Sequence, residues 1–242
     1  MDGMTLEILL FLLATFAGAF VAGLSGFAFG LVAASLWLYI LTPSQSATLI
    51  VAFGLLVQGY SVWKLRRALD WRRLWPFVAG AALGVPVGVT LLTWSDPRNV
   101  RIAVGILLVI YSLYAFLRPA LKPVAVGGVG DAIVGFLNGI LGGLTGLAGI
   151  LVTIWCGLRG WPKDVQRAVF QPVAVAIFLM SGLWLGARGT VTADTMKFFV
   201  MGLPCVFAGT WLGLRLFGRI DEAMFRKIVL ALLFISGAAL IF

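Results

Sequence analysis

Apolar runs separated by short polar breaks occupy almost the whole chain, and they recur in the same order in its two halves. The first half contains predicted segments at about residues 6–22, 27–41, 47–63, 74–92 and 102–117. The second half contains predicted segments at about residues 131–141, 147–158, 168–186, 197–214 and 228–242. Uninterrupted runs such as 102–116 lack the alternation of a barrel strand, so the pattern predicts helices.

The second segment of each half is short. About 12 to 15 residues at 1.5 Å per residue do not cross a hydrocarbon core about 30 Å thick. We therefore expect each half to contain a pair of short helices, re-entrant or half-length, followed by three transmembrane helices.

An internal repeat underlies this order. Residues 23–28 read Gly-Leu-Ser-Gly-Phe-Ala, and 120 positions later residues 143–148 read Gly-Leu-Thr-Gly-Leu-Ala. Four further pairs match at an offset of 125, namely Gly84 with Gly209, Gly88 with Gly213, Asp96 with Asp221 and Arg101 with Arg226. A duplication is the simplest interpretation. It divides one membrane domain, 1–242, into repeat 1 (about 1–117), a linker (about 118–128) and repeat 2 (about 129–242).

Composition places these helices in a lipid bilayer. Hydrophobic residues make up 62% of the 242 residues and charged residues only 11%, and the mean hydropathy is +1.08. No soluble core absorbs so much apolar surface. The class is an all-α integral membrane protein.

The net charge of +9 bears on topology rather than on a nucleic-acid partner. If each short pair returns the chain to the side where it began, 14 of the 18 Lys and Arg residues lie on one face of the membrane; a single crossing would split them nine and nine. The positive-inside rule selects the first arrangement. Both termini then lie outside the cytoplasm, and the halves are inverted-topology repeats, as in many transporters.

Several classes of chemistry find no support in the sequence. The chain has no histidine, and its two cysteines, Cys156 and Cys205, lie in apolar segments without metal-ligand spacing. No nucleotide-binding or nucleophile motif is present. We expect neither an enzyme nor a metal or other cofactor.

The repeated hexapeptide is the best candidate for chemistry. Its glycines permit a tight turn, and the following helix begins with free N–H groups that attract anions. The hydroxyls of Ser25 and Thr145 add donors beside Gly26 and Gly146. Two such turns from inverted halves would face each other around one small anion. Alternatively, these glycines serve only close packing, as expected for the spaced glycines at 80, 84 and 88 and at 209 and 213.

Polar side chains inside apolar segments are costly unless paired or useful. Asn138, Gln58 and Gln171 are amides that donate hydrogen bonds to an oxyanion without adding charge. Arg167, at the start of an apolar segment, carries a guanidinium fork suited to an oxyanion. Interhelical hydrogen bonding is the alternative for the amides, and snorkelling to the headgroups is the alternative for the arginine.

The duplicated hexapeptide, each copy followed by a short helix, together with residues 135–149 and the Gln-Arg-Ala at 166–168, resembles the TauE/SafE sulfite exporter family, also called the four-toluene-sulfonate uptake permease family. The resemblance extends over residues 6–242. It implies a secondary carrier that exports small organosulfur or related anions, such as sulfite, sulfonates or sulfoacetate, across a bacterial inner membrane. The lipid bilayer and a small anion are then its partners, and the sequence leaves a homodimer open.

Two alternatives use the same segments differently. An anion channel would have the same pocket but neither saturation nor counterflow. A non-transporting membrane assembly factor would bind no small anion. The inverted repeat favours transport by alternating access.

Overall fold

A computed structural model describes residues 3–25, 28–65, 69–117, 127–161 and 163–216, and positions 227, 230–231, 234–235, 237–238 and 241 near the C-terminus. Within these ranges the chain is helical and contains no strand. The bounded helices are α1 (Gly3–Ser25), α2 (Phe29–Trp37), α3 (Pro43–Leu65), α4 (Trp71–Trp94), α5 (Pro97–Leu117), α6 (Gly128–Thr145), α7 (Ile150–Leu158), α8 (Lys163–Ala187) and α9 (Ala193–Leu216). The all-helical prediction is confirmed. Five of the helices are long and apolar enough to cross a membrane.

Each half begins with a long helix followed by a short one. Helices α2 and α7 have nine residues each, which corresponds to about 14 Å, roughly half of a hydrocarbon core. Their partners α1 and α6, with 23 and 18 residues, extend beyond the predicted boundaries. The expected end of α6 at residue 141 was wrong because Gly142 and Gly143, which suggest a break, lie against α8 and α4 instead.

The helices form two compact units that interleave the two halves of the sequence. Unit 1 comprises Met1–Ser46, Ser95–Pro119 and Ala193–Phe242, and unit 2 comprises Ala47–Trp94 and Ala120–Thr192. The fully buried large side chains of unit 1 are Phe11, Leu31, Trp37 and Leu108. Those of unit 2 are Leu49, Ile50, Phe53, Leu74, Phe77, Ile177 and Leu185.

In unit 2, α4 and α6 pack with their backbones in contact. A methyl group built on Gly80, Gly84 or Gly88 of α4 would overlap backbone atoms of α6, at the carbonyls of Ala132, Phe136 and Ile140 in turn. In the other direction, Gly135, Gly139 and Gly143 of α6 lie against the carbonyls of Phe77, Ala81 and Val85. Positions increase together along both helices, so α4 and α6 run parallel. The prediction that the glycines of α4 form a contact face is confirmed.

Unit 1 contains a corresponding contact between α1 and α9. Gly209 lies against the carbonyl of Phe16, Gly213 against that of Phe20, and Gly23 against that of Thr210. Adding 120 to the α1 positions and subtracting 125 from the α9 positions gives contacts made by α6 and α4 in unit 2. The two copies therefore use the same close-packing positions, each with a helix from the other half of the chain.

Helices α3 and α8 of unit 2 run antiparallel. Val51 lies near Gly182, and Gly54 lies against the ring of Phe178. At one end, the Thr48 hydroxyl donates to the Thr190 hydroxyl oxygen (3.1 Å). The contacting positions rise along α3 while they fall along the partner segment, which is the pattern of antiparallel helices.

Candidate functional site

The structure collects most of the predicted site residues in unit 2. Asn138 and Thr145 lie on α6, Gly146 follows them, Gln58 lies on α3 and Gln171 on α8. Two further residues are described only in their backbone: Ser25 ends α1, and Arg167 is in the first turns of α8. Gly26 lies outside the described residues.

The turn between α6 and α7 has a backbone that favours glycine. Gly146, with φ 74°, ends α6 in the left-handed region, and Gly149, with φ 106°, precedes α7 in the same region. The Thr145 hydroxyl bridges this turn, since it donates to the Leu141 carbonyl (2.7 Å) and accepts from the Leu147 N–H (3.1 Å). Thr145 is therefore part of the turn's own hydrogen bonding.

Asn138 joins α6 to the first turn of α7. Its side chain is completely buried, and its Oδ1 accepts a hydrogen bond from the Leu151 N–H (3.2 Å). Because a backbone N–H only donates, this contact fixes the orientation of the amide. The Nδ2 group is buried and has no hydrogen-bond partner among the described residues, so two amide donors remain beside a helix N-terminus.

The two predicted glutamines lie at different distances from the α6–α7 turn along their helices. A methyl built on Gly149 would lie 3.4 Å from the Cβ of Ala174, and Gln171 is one turn away from Ala174 on α8. Helix α3 meets the turn at Ala47 and Ile50, which lie against a methyl built on Gly146, about two helical turns before Gln58. Both glutamines are buried, and the Gln58 Oε1 has no hydrogen-bond partner among the described residues.

The arrangement provides uncharged donors at a helix N-terminus. The first turn of α7 contributes N–H groups and the positive end of its dipole, and Asn138 contributes an amide. Such a set stabilises a small anion without a buried counter-charge. Within the described ranges, no three His, Cys, Asp or Glu side chains lie together as metal ligands.

A polar cluster at the other end of α7 was missed at the sequence level. Asp131 on α6 is buried and accepts a hydrogen bond from the Trp155 indole N–H (2.7 Å), and the Arg159 guanidinium lies 3.8 Å from the same carboxylate oxygen. A signal was available, because residues 155 and 159 are four apart and share one helix face. Their acidic partner is distant in the sequence, so only the fold joins them.

The corresponding positions of the first half are apolar. Phe11, 120 positions before Asp131, stacks on Trp37 with ring centroids 5.0 Å apart. Gly18, 120 positions before Asn138, is covered by Phe29, whose ring lies 3.3 Å from a methyl built on Gly18. The αL residue before α2 is Ala28, with φ 76°. Aromatic packing thus replaces the polar contacts of unit 2.

Comparison with known proteins identifies one family. A family model described as Sulfite exporter TauE/SafE matches residues 10–240. Comparison with curated proteins gave no match, and comparison with solved structures gave none.

Proposed function

The chain belongs to the sulfite exporter TauE/SafE family, a family of membrane transporters rather than enzymes, and from this premise we propose that it exports a small organosulfur or related anion such as sulfite, a sulfonate or sulfoacetate. The proposed binding site is the α6–α7 turn of unit 2. Asn138 and the first turn of α7 donate hydrogen bonds to the anion, and Thr145 and Gly146 shape the turn. Gln171, Gln58 and Arg167 are the second group of candidates, and Ser25 with Gly26 is the predicted first-half contribution.

The buried Nδ2 group of Asn138 carries this proposal. A buried amide that leaves its donors unused costs free energy, on the order of 1–3 kcal/mol, and that cost is recovered when an acceptor arrives. The acceptor must fit beside a helix N-terminus, where a negative charge is favoured. A tetrahedral or pyramidal oxyanion meets both conditions.

Alternating access is the proposed mechanism, in a bacterial inner membrane with both termini periplasmic. The antiparallel packing of α3 and α8 supports it, because these helices hold corresponding places in the two halves and would run in opposite directions in inverted repeats. The distribution of Lys and Arg along the chain supports the same topology.

Asn138→Asp is the direct test of the site. Aspartate keeps the shape and the oxygen that accepts from the Leu151 N–H, but it removes both Nδ2 donors and adds a negative charge. We expect sulfite affinity to fall by about 100-fold, since charge-assisted hydrogen bonds are worth about 1.5–3 kcal/mol each. The purified protein is titrated with sulfite, and the thermal unfolding midpoint is the readout. A ligand that binds only the folded state raises this midpoint.

A panel of sulfite, sulfate, thiosulfate, sulfoacetate, taurine, acetate and chloride identifies the preferred anion in the same assay. Thr15→Val is a matched control, because its buried hydroxyl donates to the Phe11 carbonyl (2.6 Å) within α1 of the other unit. It should leave affinity unchanged. Wild-type affinity in folded Asn138→Asp would remove this amide from the site, and counterflow in proteoliposomes separates a carrier from a channel.

A further inference from the structure

A second group of anion-compatible donors lies at the C-terminal end of α7. Trp155 and Arg159 project from one face of this end and meet the carboxylate of Asp131, which sits in the first turn of α6. The two donors converge on one oxygen atom, Oδ1. Asp131 thus occupies a position where a negative group is held by an indole N–H, a guanidinium and a helix N-terminus.

The pairing of Arg159 with this carboxylate is incomplete. Its nearest nitrogen is 3.8 Å from Oδ1, too far for a hydrogen bond. That nitrogen, Nη1, is buried and has no hydrogen-bond partner among the described residues. A desolvated guanidinium nitrogen without an acceptor is costly, and an added oxyanion would satisfy it.

Trp161 holds the guanidinium in place beside a second cation. The Arg159 Cζ lies 5.2 Å from the centroid of the Trp161 ring, and the Arg73 Cζ lies 5.2 Å from the same ring. The Trp161 carbonyl accepts from the Gln166 side chain (2.7 Å), which fixes the loop. Arg73 also pairs with exposed Asp70 (3.0 Å). Two guanidinium groups therefore contact the Trp161 ring, and one of them, that of Arg159, also faces the Asp131 carboxylate.

We propose that this cluster is a second oxyanion-binding site, in which Asp131 acts as a built-in competitor for Arg159 and Trp155. An arriving sulfite-like anion displaces the carboxylate from Arg159 and takes the Nη1 and indole donors. Helix α7 then has an anion site at each end, about 14 Å apart. The ligand class rests on the proposed function, whereas the site itself rests on its own donors.

Asp131→Asn tests the competition. Asparagine keeps an oxygen for the Trp155 N–H but no longer carries the charge that competes for Arg159. We expect sulfite to bind at this site about tenfold more tightly or better, seen as an additional binding event in calorimetric titration of the full-length protein. Adding Arg159→Gln should abolish the gain. Asp194→Asn is the control, because it removes an equal charge from an exposed pair with Lys197 (2.9 Å).

The same titration in an Asn138→Asp background separates the two proposals. If the second site is real, the event gained through Asp131→Asn persists in this background and still needs Arg159, whether or not Asn138 binds anion. If Asp131→Asn binds sulfite no more tightly than wild type while remaining folded, the second site is refuted, and the Asn138 result stands on its own.

A readout in the wild-type background covers the case in which Asp131→Asn does not fold. Millimolar sulfite should change the part of the tryptophan fluorescence that disappears in Trp155→Phe, and Arg159→Gln should abolish the change. Absence of a Trp155-dependent change in wild type, or its persistence in Arg159→Gln, would overturn the proposal.

Discussion

The two pairs of one long and one short helix have similar backbone features and differ in the side chains at corresponding buried positions. Helices α2 and α7 have equal length, each follows a residue in the left-handed region, and each ends with φ near −70°. The preceding long helices use matching glycine contacts. At the positions of Phe11 and Gly18 the first pair is packed with aromatic rings, whereas the second has Asp131 and Asn138.

This difference separates the requirements of folding from those of binding. The glycine contacts and the left-handed residue before the short helix occur in both halves, so neither is special to the proposed site. The buried amide and the carboxylate cluster occur in one copy, so the architecture does not require them. Their cost has to be balanced by another role, and the proposed anion sites supply it.

The largest expected effect concerns the shared architecture. Gly84→Ala in unit 2 and Gly209→Ala in unit 1 each place a methyl against a backbone carbonyl of the neighbouring helix, Phe136 and Phe16 respectively. Because backbone cannot rotate away, we expect each substitution to cost at least about 2 kcal/mol. Thermal unfolding in detergent measures the loss.

Gly186→Ala is the matched control, since no atom lies within 4 Å of a methyl built there. It should be neutral or stabilising by up to about 1 kcal/mol. If only one of Gly84→Ala and Gly209→Ala destabilises the protein, the two helix contacts are not equivalent. The comparison between the two halves would then be wrong.

A smaller effect is expected at the turn hydroxyl. Thr145→Val removes the group that accepts from the Leu147 N–H. The turn beside the proposed site then loses about 1 kcal/mol of stabilisation. Sulfite affinity should fall by several-fold, measured by the titration used for Asn138. Thr153→Val is the control within α7, because its hydroxyl only donates to the Gly149 carbonyl (2.7 Å). Equal affinities for the two variants would assign Thr145 to packing alone.

The smallest effect on sulfite affinity is expected in the apolar copy. Trp37→Phe keeps an aromatic ring against Phe11 but removes an indole N–H that donates to the Phe11 carbonyl at 3.4 Å. Loss of this long hydrogen bond, worth about 0.5 kcal/mol, and the space left by the smaller ring at this fully buried position should together lower stability by at least about 1 kcal/mol. Sulfite affinity should not change. A marked loss of affinity would place a functional role in the first pair and weaken the contrast.

Much of the architecture was predictable from the sequence because it depends on local patterns. Apolar runs predict helices in a membrane, the hexapeptides predict tight turns, and the spaced glycines of α4 predict a contact face. The partner of that face was not predictable. Several helices carry glycine stripes, and nothing in a single sequence selects α6 for α4 and α9 for α1.

The polar residues of the site divide in the same way. Asn138 was predictable because an amide within an apolar run is unusual. The meeting of Asp131 with Trp155 was not, because the two residues are far apart along the chain and belong to different helices. The short length of α7 and its tight turn bring them together, and both depend on packing in unit 2.

The reciprocal seating of glycines and carbonyls between α4 and α6 has a mechanical consequence. Sliding one helix along the other by a single residue would drive a side chain into backbone at every turn, so the pair resists shear. A stretched or thinned bilayer cannot be accommodated by slippage within it. The two helices therefore tilt together as one rigid body. Adaptation to bilayer thickness falls to parts of the protein whose side chains can rearrange.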